Sequence, residues 1–190
     1  MTINVYEDGM LYSDRALIAV EAGIYTNNYS RKMFIHEKHL FALTLAGDEV
    51  PPGTEKAVMR LVEDFLTLVY AMEETDPYPP CTKLAAIIES RGMLVMTRDR
   101  AFQLKRKPGS GIGNKKPEIA VVEAAPGQRF VTGNCGPFYL VERALGTDRL
   151  TSIERAVAWK MGKSCEIDVI SASDLMPFAC TETVEGEGHE

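Results

Sequence analysis

Segment order constrains this chain's fold more than any single motif does. Hydrophobic patterning reads as paired strands, one long helix, more paired strands, two helices and a closing strand. Helices that do not alternate with strands disfavour a doubly wound parallel sheet. They favour an α+β architecture in which helices flank stacked antiparallel sheets. No repeat of fixed period runs through the chain, which argues against a solenoid.

The individual segments follow from local chemistry. Residues 3–14 hold two β-prone runs around Glu7-Asp8-Gly9, a hairpin signal. Leu17–Tyr25 is apolar with a break at Glu21–Gly23, and Asn27-Asn28 reads as a turn. Lys32–His36 and His39–Leu45 form a second hairpin around Glu37-Lys38, and its nearly all-apolar second arm fits a strand buried on both faces. Pro51-Pro52-Gly53 breaks the pattern. Thr54 is the expected N-cap of the long helix, whose stripe is Ala57, Leu61, Val62, Phe65, Leu68, Val69 and Met72.

After a stiff Asp76–Pro80 connector, residues 84–90 and 93–99 are expected to form a hairpin joined at Arg91-Gly92, and Ala101–Arg106 adds a strand. Short strands follow at Ile119–Val122 and Arg129–Thr132, the second entering a turn at Gly133-Asn134-Cys135-Gly136. Pro137 suits the first turn of a helix that Gly146 ends. Thr151 is expected to open the next helix, with Glu154 completing a capping box and Ile153, Ala156, Val157 and Met161 on its apolar face. Ile167–Ile170 closes the sheet, and a short helical turn is expected at Ser173–Leu175. The expected division is one domain over 1–178 and an acidic tail over 179–190.

Charge and cysteine usage narrow the function classes. The net charge of −6 argues against a nucleic-acid binder, which wants a basic face. No run approaches the ~18 apolar residues that cross a bilayer. No basic-then-apolar leader opens the sequence, so a cytoplasmic setting is expected. Cys81, Cys135, Cys165 and Cys180 are widely spaced and form no CxxC pair, which suggests free thiols and neither a zinc site nor a disulfide framework. His36 and His39 have no cysteine or carboxylate cluster in ligand spacing. The loop KRKPGSGIGNKK at 105–116 fails the GxxxxGK[ST] spacing and reads as a solvated loop. No cofactor or metal is expected.

The chemistry is expected at the N-terminal end. Removal of Met1 would leave Thr2 with a hydroxyl and a free α-amine on one residue. That is a complete nucleophile and base, because an α-amine titrates near pH ~8. Three blocks accompany this start. The first is Met1-Thr2, a strand, Tyr6, Gly9 and Leu11-Tyr12-Ser13-Asp14. The second is Arg31-Lys32-Met33-Phe34, a turn and an apolar strand ending Ala46-Gly47-Asp48. The third is Thr132-Gly133-Asn134-Cys135-Gly136-Pro137-Phe138, two helices and Glu166-Ile167-Asp168-Val169-Ile170. In order and spacing the blocks resemble the proteasome β-subunit family, and within it HslV and its short bacterial or phage-borne relatives.

That resemblance implies a four-layer αββα sandwich and a threonine-type N-terminal-nucleophile peptidase. Thr2 would be the nucleophile, Asp14 and Lys32 its neighbouring ion pair, and the Gly47 N–H a donor in the oxyanion hole. Asn134 stands where the family usually has a serine that helps fix the threonine amine, and an asparagine oxygen can also accept that hydrogen bond. Cys135 replaces a family glycine. Met161 lies where the family tends to place an aspartate. The implied partners are copies of the same chain in a ring, a separate ATP-dependent unfoldase, and peptide or unfolded-protein substrate. Two alternatives come with the resemblance: a catalytically inactive ring subunit and a small-amide hydrolase. From the residues alone, Asp14 and Lys32 also read as an ordinary ion pair, Gly47 as a strand end and Asn134 as a turn residue.

Overall fold

The computed structural model describes residues 2–21, 24–29, 32–46, 54–73, 75–88, 92–113, 116–162 and 165–178; for 16–21, 24–29 and Met161 it describes the backbone only. The expectations for Met1, Arg31, Gly47, Asp48, Pro51-Pro52-Gly53 and the tail fall outside these residues.

Two antiparallel sheets face each other. The first has the order β10-β1-β2-β11, built from β1 (Asn4–Glu7), β2 (Met10–Asp14), β10 (Phe130–Thr132) and β11 (Ile167–Ser171). Asp8 and Gly9 both take positive φ in the β1–β2 turn, 49° and 73°, as a tight hairpin requires. The second sheet has the order β5-β6-β7-β8-β9: β5 (Met33–Ile35), β6 (Phe41–Leu45), β7 (Met93–Thr97), β8 (Ala101–Arg106) and β9 (Ile119–Glu123). The strands β3 (Ala16–Glu21) and β4 (Ile24–Tyr29) pair with one another as a separate ribbon.

Strand alternation sorts the side chains into three cores. Leu11, Met33, Ala42, Leu94, Met96 and Phe130 fill the space between the sheets. Helices α1 (Thr54–Ala71) and α2 (Thr82–Ile88) cover the outer face of the five-stranded sheet, where Val62, Phe65 and Leu84 meet Leu43, Val95 and Phe102. Helices α3 (Gly136–Ala144) and α4 (Arg149–Met161) cover the other sheet, where Tyr139, Ile153 and Val157 meet Ile3 and Val5. The result is a four-layer αββα sandwich. No described helix is long and apolar enough to cross a membrane, and the described residues contain no group of three metal-ligating side chains.

Several local expectations are corrected. Residues 84–88 belong to α2 and are not a hairpin arm. Leu84, Ala85 and Ile88 point into the core at helical spacing, so a short apolar run has followed the 3.6-residue period and not the two-residue one. Asn27 and Asn28 lie inside β4, paired with Ile18 and Leu17, where the ladder overrides their turn preference. Thr54 is the first residue of α1 and not its cap. The buried stripe of α1 is Val58, Val62, Phe65, Leu66 and Val69, while Ala57 and Leu68 face out. Asp148 caps α4 by accepting from Thr151 N at 3.1 Å, so Thr151 is an inner residue and its expected capping box is absent.

A buried carboxylate ties the first sheet to its helices. Glu7 of β1 is 4% exposed. It accepts from Arg129 at 2.7 Å and Arg143 at 2.8 Å, and from the Tyr139 hydroxyl. Burial pushes its carboxyl up, but the bonds from Arg143, Tyr139 and Arg129 outweigh that and hold it at about 2, against an ordinary 4.5. A depressed carboxylate contributes stability above its unfolded pKa and loses it as pH falls through the folded one. Glu7→Gln is therefore expected to cost about 3 kcal/mol from neutral pH down to about 5. The gap to wild type should close as pH drops from about 4.5 toward 2. Urea unfolding of both proteins across that range checks it.

Candidate active site

Register alone brings the ends of three strands together. Asn4 pairs with Thr132 on one side and Ser13 on the other. Counting back along β1 sets Thr2 beside the Asn134 turn and Ile3 beside Asp14. The bonds agree. Thr2 N donates to Asn134 Oδ1 at 3.1 Å, and Cys135 N donates to Thr2 O at 3.3 Å. Asp14 N donates to Ile3 O at 3.1 Å, while Ile3 N donates to Asp14 Oδ1.

Lys32 reaches this cluster from the opposite sheet. It sits just before β5, held there by Leu45 N donating to its carbonyl at 3.0 Å. Its Nζ lies 2.7 Å from Asp14 Oδ2. The side chains are 5% and 0% exposed, so the pair crosses between the sheets out of water. A buried pair of this kind gives back most of its Coulomb energy as desolvation, and it is poor evidence for stability by itself.

Thr2 is 4% exposed. Its Oγ1 is buried and makes no hydrogen bond among the described residues. A buried hydroxyl normally finds a partner, so an orphan one asks for an explanation. One row further in, Ser13 Oγ donates to Asn4 Oδ1 at 2.6 Å and Asn4 Nδ2 donates to Thr132 Oγ1 at 3.3 Å, a polar ladder across three strands. Burial first, then the Asp14 charge, pushes the Cys135 thiol up to about 11. It stays protonated and is no competing nucleophile near neutral pH.

Four of the five residues expected at the site (Thr2, Asp14, Lys32 and Asn134) are thus brought to one place; Gly47 lies outside the described residues. The Asn4–Ser13–Thr132 ladder was not anticipated, nor was the close approach of the Gly133 turn to the Thr2 main chain. Polar residues at inward positions of apolar strands were the available signal for the ladder.

No family model matches the sequence, and no curated protein matches it. Solved structures do. HslV from Trypanosoma brucei superposes with a TM-score of 0.50 at 15% identity, over 90% of this chain and 98% of that one. Thiobacillus denitrificans BPH in complex with epoxomicin gives a TM-score of 0.50 at 12% identity, over 93% and 100%. The chain has the proteasome-like N-terminal-nucleophile-hydrolase fold. At these identities the likeness is one of fold.

In this proteasome-like frame the arrangement has definite chemical capacities. The Lys32 cation favours deprotonated forms of groups around it. Asp14 holds Lys32 with one oxygen and the main chain of β1 with the other, so the charge cannot drift from Thr2's strand. Asn134 accepts from the Thr2 nitrogen and orients it. A half-buried Arg15 pairs with Glu166 at 2.9 Å and with Asp168, joining the end of β2 to β11.

Proposed function

We propose that this chain is a threonine-type N-terminal-nucleophile peptidase subunit, working inside a ring of its own copies once Met1 is removed. The observation that carries this reading is the surroundings of Thr2. Its hydroxyl makes no hydrogen bond among the described residues, its nitrogen is held by Asn134, and a buried Lys32–Asp14 pair is anchored to the next residue. A main chain fixed on both sides of Thr2 holds the nucleophile still, which is what a positioned attack requires.

Thr2 Oγ1 attacks the peptide carbonyl carbon, and the freed α-amine of Thr2 takes the hydroxyl proton. The Lys32 charge favours the alkoxide. The backbone N–H of Gly47 donates to the tetrahedral oxyanion, where a main-chain donor needs no particular side chain. The amine then passes its proton to the leaving nitrogen, the C–N bond breaks, and an ester to Thr2 remains. Water, deprotonated by the same amine, hydrolyses that ester and restores the hydroxyl. Substrates are peptides and unfolded proteins, fed by a separate ATP-dependent unfoldase in the cytoplasm.

A second reading, an inactive ring subunit, rests on the burial of Thr2, which is 4% exposed. In a chain that keeps Met1 the Thr2 nitrogen is an amide and no base. Intact mass decides between them. For the peptidase, the native protein lacks one methionine, and epoxomicin adds one inhibitor mass per chain. Thr2→Ala loses both the adduct and peptide hydrolysis. Its Tm stays within about 2 °C of wild type or rises, because the deleted hydroxyl makes no hydrogen bond among the described residues. Retained Met1 with no adduct establishes the inactive subunit.

A further inference from the structure

Three polar side chains stand where the core between the sheets calls for apolar ones. Along β1, β2 and β10 the residues facing the outer helices are Val5, Tyr12 and Val131. Their neighbours Asn4, Ser13 and Thr132 therefore point between the sheets, on the same face as Leu11 and Phe130. All three are buried, Asn4 and Ser13 completely. Asn4 is the hub: its Oδ1 accepts from Ser13 Oγ at 2.6 Å and its Nδ2 donates to Thr132 Oγ1 at 3.3 Å. Apolar residues of the same shapes would hold the sheet about as well, because a buried hydrogen bond returns little beyond the cost of desolvating its partners. Stability alone therefore does not account for the ladder.

Register does. Each rung borders a residue of the site: Asn4 lies two residues after Thr2, Ser13 directly before Asp14, and Thr132 two before Asn134. The strands are short, four residues for β1 and three for β10. Alternation forbids a one-residue slip, which would turn the apolar face outward, but a slip of two residues keeps every side chain on its face. Such a slip of β10 moves Asn134 by about 7 Å along Thr2's strand. The ladder works against it. Sliding Phe130 into the place of Thr132 opposite Asn4 leaves a buried amide without its acceptor. We infer that Asn4, Ser13 and Thr132 are positioning residues, a register lock that sets the segments of Thr2, Asp14 and Asn134 against one another. The inference rests on the peptidase reading for its effect on rate, and on the sheet alone for its effect on register.

The variant Asn4→Leu/Ser13→Ala/Thr132→Val removes the polar atoms and keeps the shapes. Its Tm is expected to match or exceed that of wild type. Amide hydrogen exchange read by NMR is expected to speed up at least about tenfold at Asp14 and Cys135, whose N–H groups bond Ile3 O and Thr2 O, and to stay unchanged at Leu94 and Val95 in the opposite sheet. In peptide hydrolysis kcat is expected to fall about 10–10²-fold with KM within about twofold. Thr132→Val alone lowers kcat by taking the acceptor from Asn4 Nδ2, and Thr132→Ser, which supplies it again, restores the rate. Unchanged exchange at Asp14 and Cys135 overturns the inference, and so does exchange that speeds equally at Leu94 and Val95. A triple variant with wild-type kcat, or one with a Tm well below wild type, overturns it as well. A wild-type protein that shows neither hydrolysis nor an epoxomicin adduct overturns the peptidase reading instead, and the exchange rates still decide the register lock.

Discussion

On the proposed mechanism Asp14→Asn is expected to cut peptide hydrolysis steeply and to lower the unfolding free energy by about 3–5 kcal/mol. The carboxylate performs two tasks. One oxygen holds Lys32 Nζ at 2.7 Å, and the other accepts from Ile3 N. An amide of the same shape takes the Asp14 charge away from the Lys32 ammonium in a site that excludes water. Loss of one charge from a buried pair is the costly part of breaking it. For a chain of this size the loss lowers Tm by roughly 10 °C. Activity falls on the order of 10²–10³-fold, since the charge beside Thr2 is no longer fixed in place. Combining Asp14→Asn with Lys32→Met separates the two tasks. Removing the ammonium as well restores much of the stability, while hydrolysis stays low because the cation is gone. Guanidinium unfolding with unchanged m-values, read beside kcat/KM, measures both. If the double variant recovers activity with its stability, the pair is scaffold and no part of the chemistry.

The sandwich was legible from segment order because its strands and helices carry strong, opposed periodicities. The β1–β2 hairpin followed from Asp8-Gly9, and β6 from its nearly all-apolar run. The errors share a physical origin. α2 is seven residues long, too short for a helical period to separate from a strand's. Asn27-Asn28 kept turn chemistry in isolation, but pairing with Leu17 and Ile18 settled their conformation. At the site, Thr2, Asp14, Lys32 and Asn134 were visible as residue types in sequence-ordered blocks. The bonds that join them were not visible, because they depend on strand register: Asn134 is 132 positions from Thr2. Gly133 was seen merely as part of a turn. What a turn glycine approaches is set by the strand beside it, which no local pattern records.

That approach makes Gly133→Ala the other change with a large expected effect. Gly133 takes φ +96°, where an L side chain is strained. A Cβ there would lie 2.0 Å from Thr2 O, 2.6 Å from Thr2 C and 3.2 Å from Ile3 Cα. All three atoms are main chain, so no flexible side chain can swing aside. The turn must withdraw from β1, and withdrawal breaks the Cys135 N to Thr2 O bond and the Thr2 N to Asn134 Oδ1 bond together. Backbone strain of about 1–3 kcal/mol and two lost hydrogen bonds of about 1 kcal/mol each give a cost of roughly 3–5 kcal/mol. On the proposed mechanism, displacing Thr2 by about 1 Å loses on the order of 10²-fold in rate. Gly127→Ala isolates the cause. Gly127 has φ +75° and nothing within 4 Å of its would-be Cβ, so it bears the strain without the collision. It is expected to lose about 1 kcal/mol and to keep full hydrolysis. Equal losses in the two variants would mean that backbone strain alone accounts for the effect and that closeness to Thr2 is incidental. A loss of activity confined to Gly133→Ala ties the turn to the nucleophile's position.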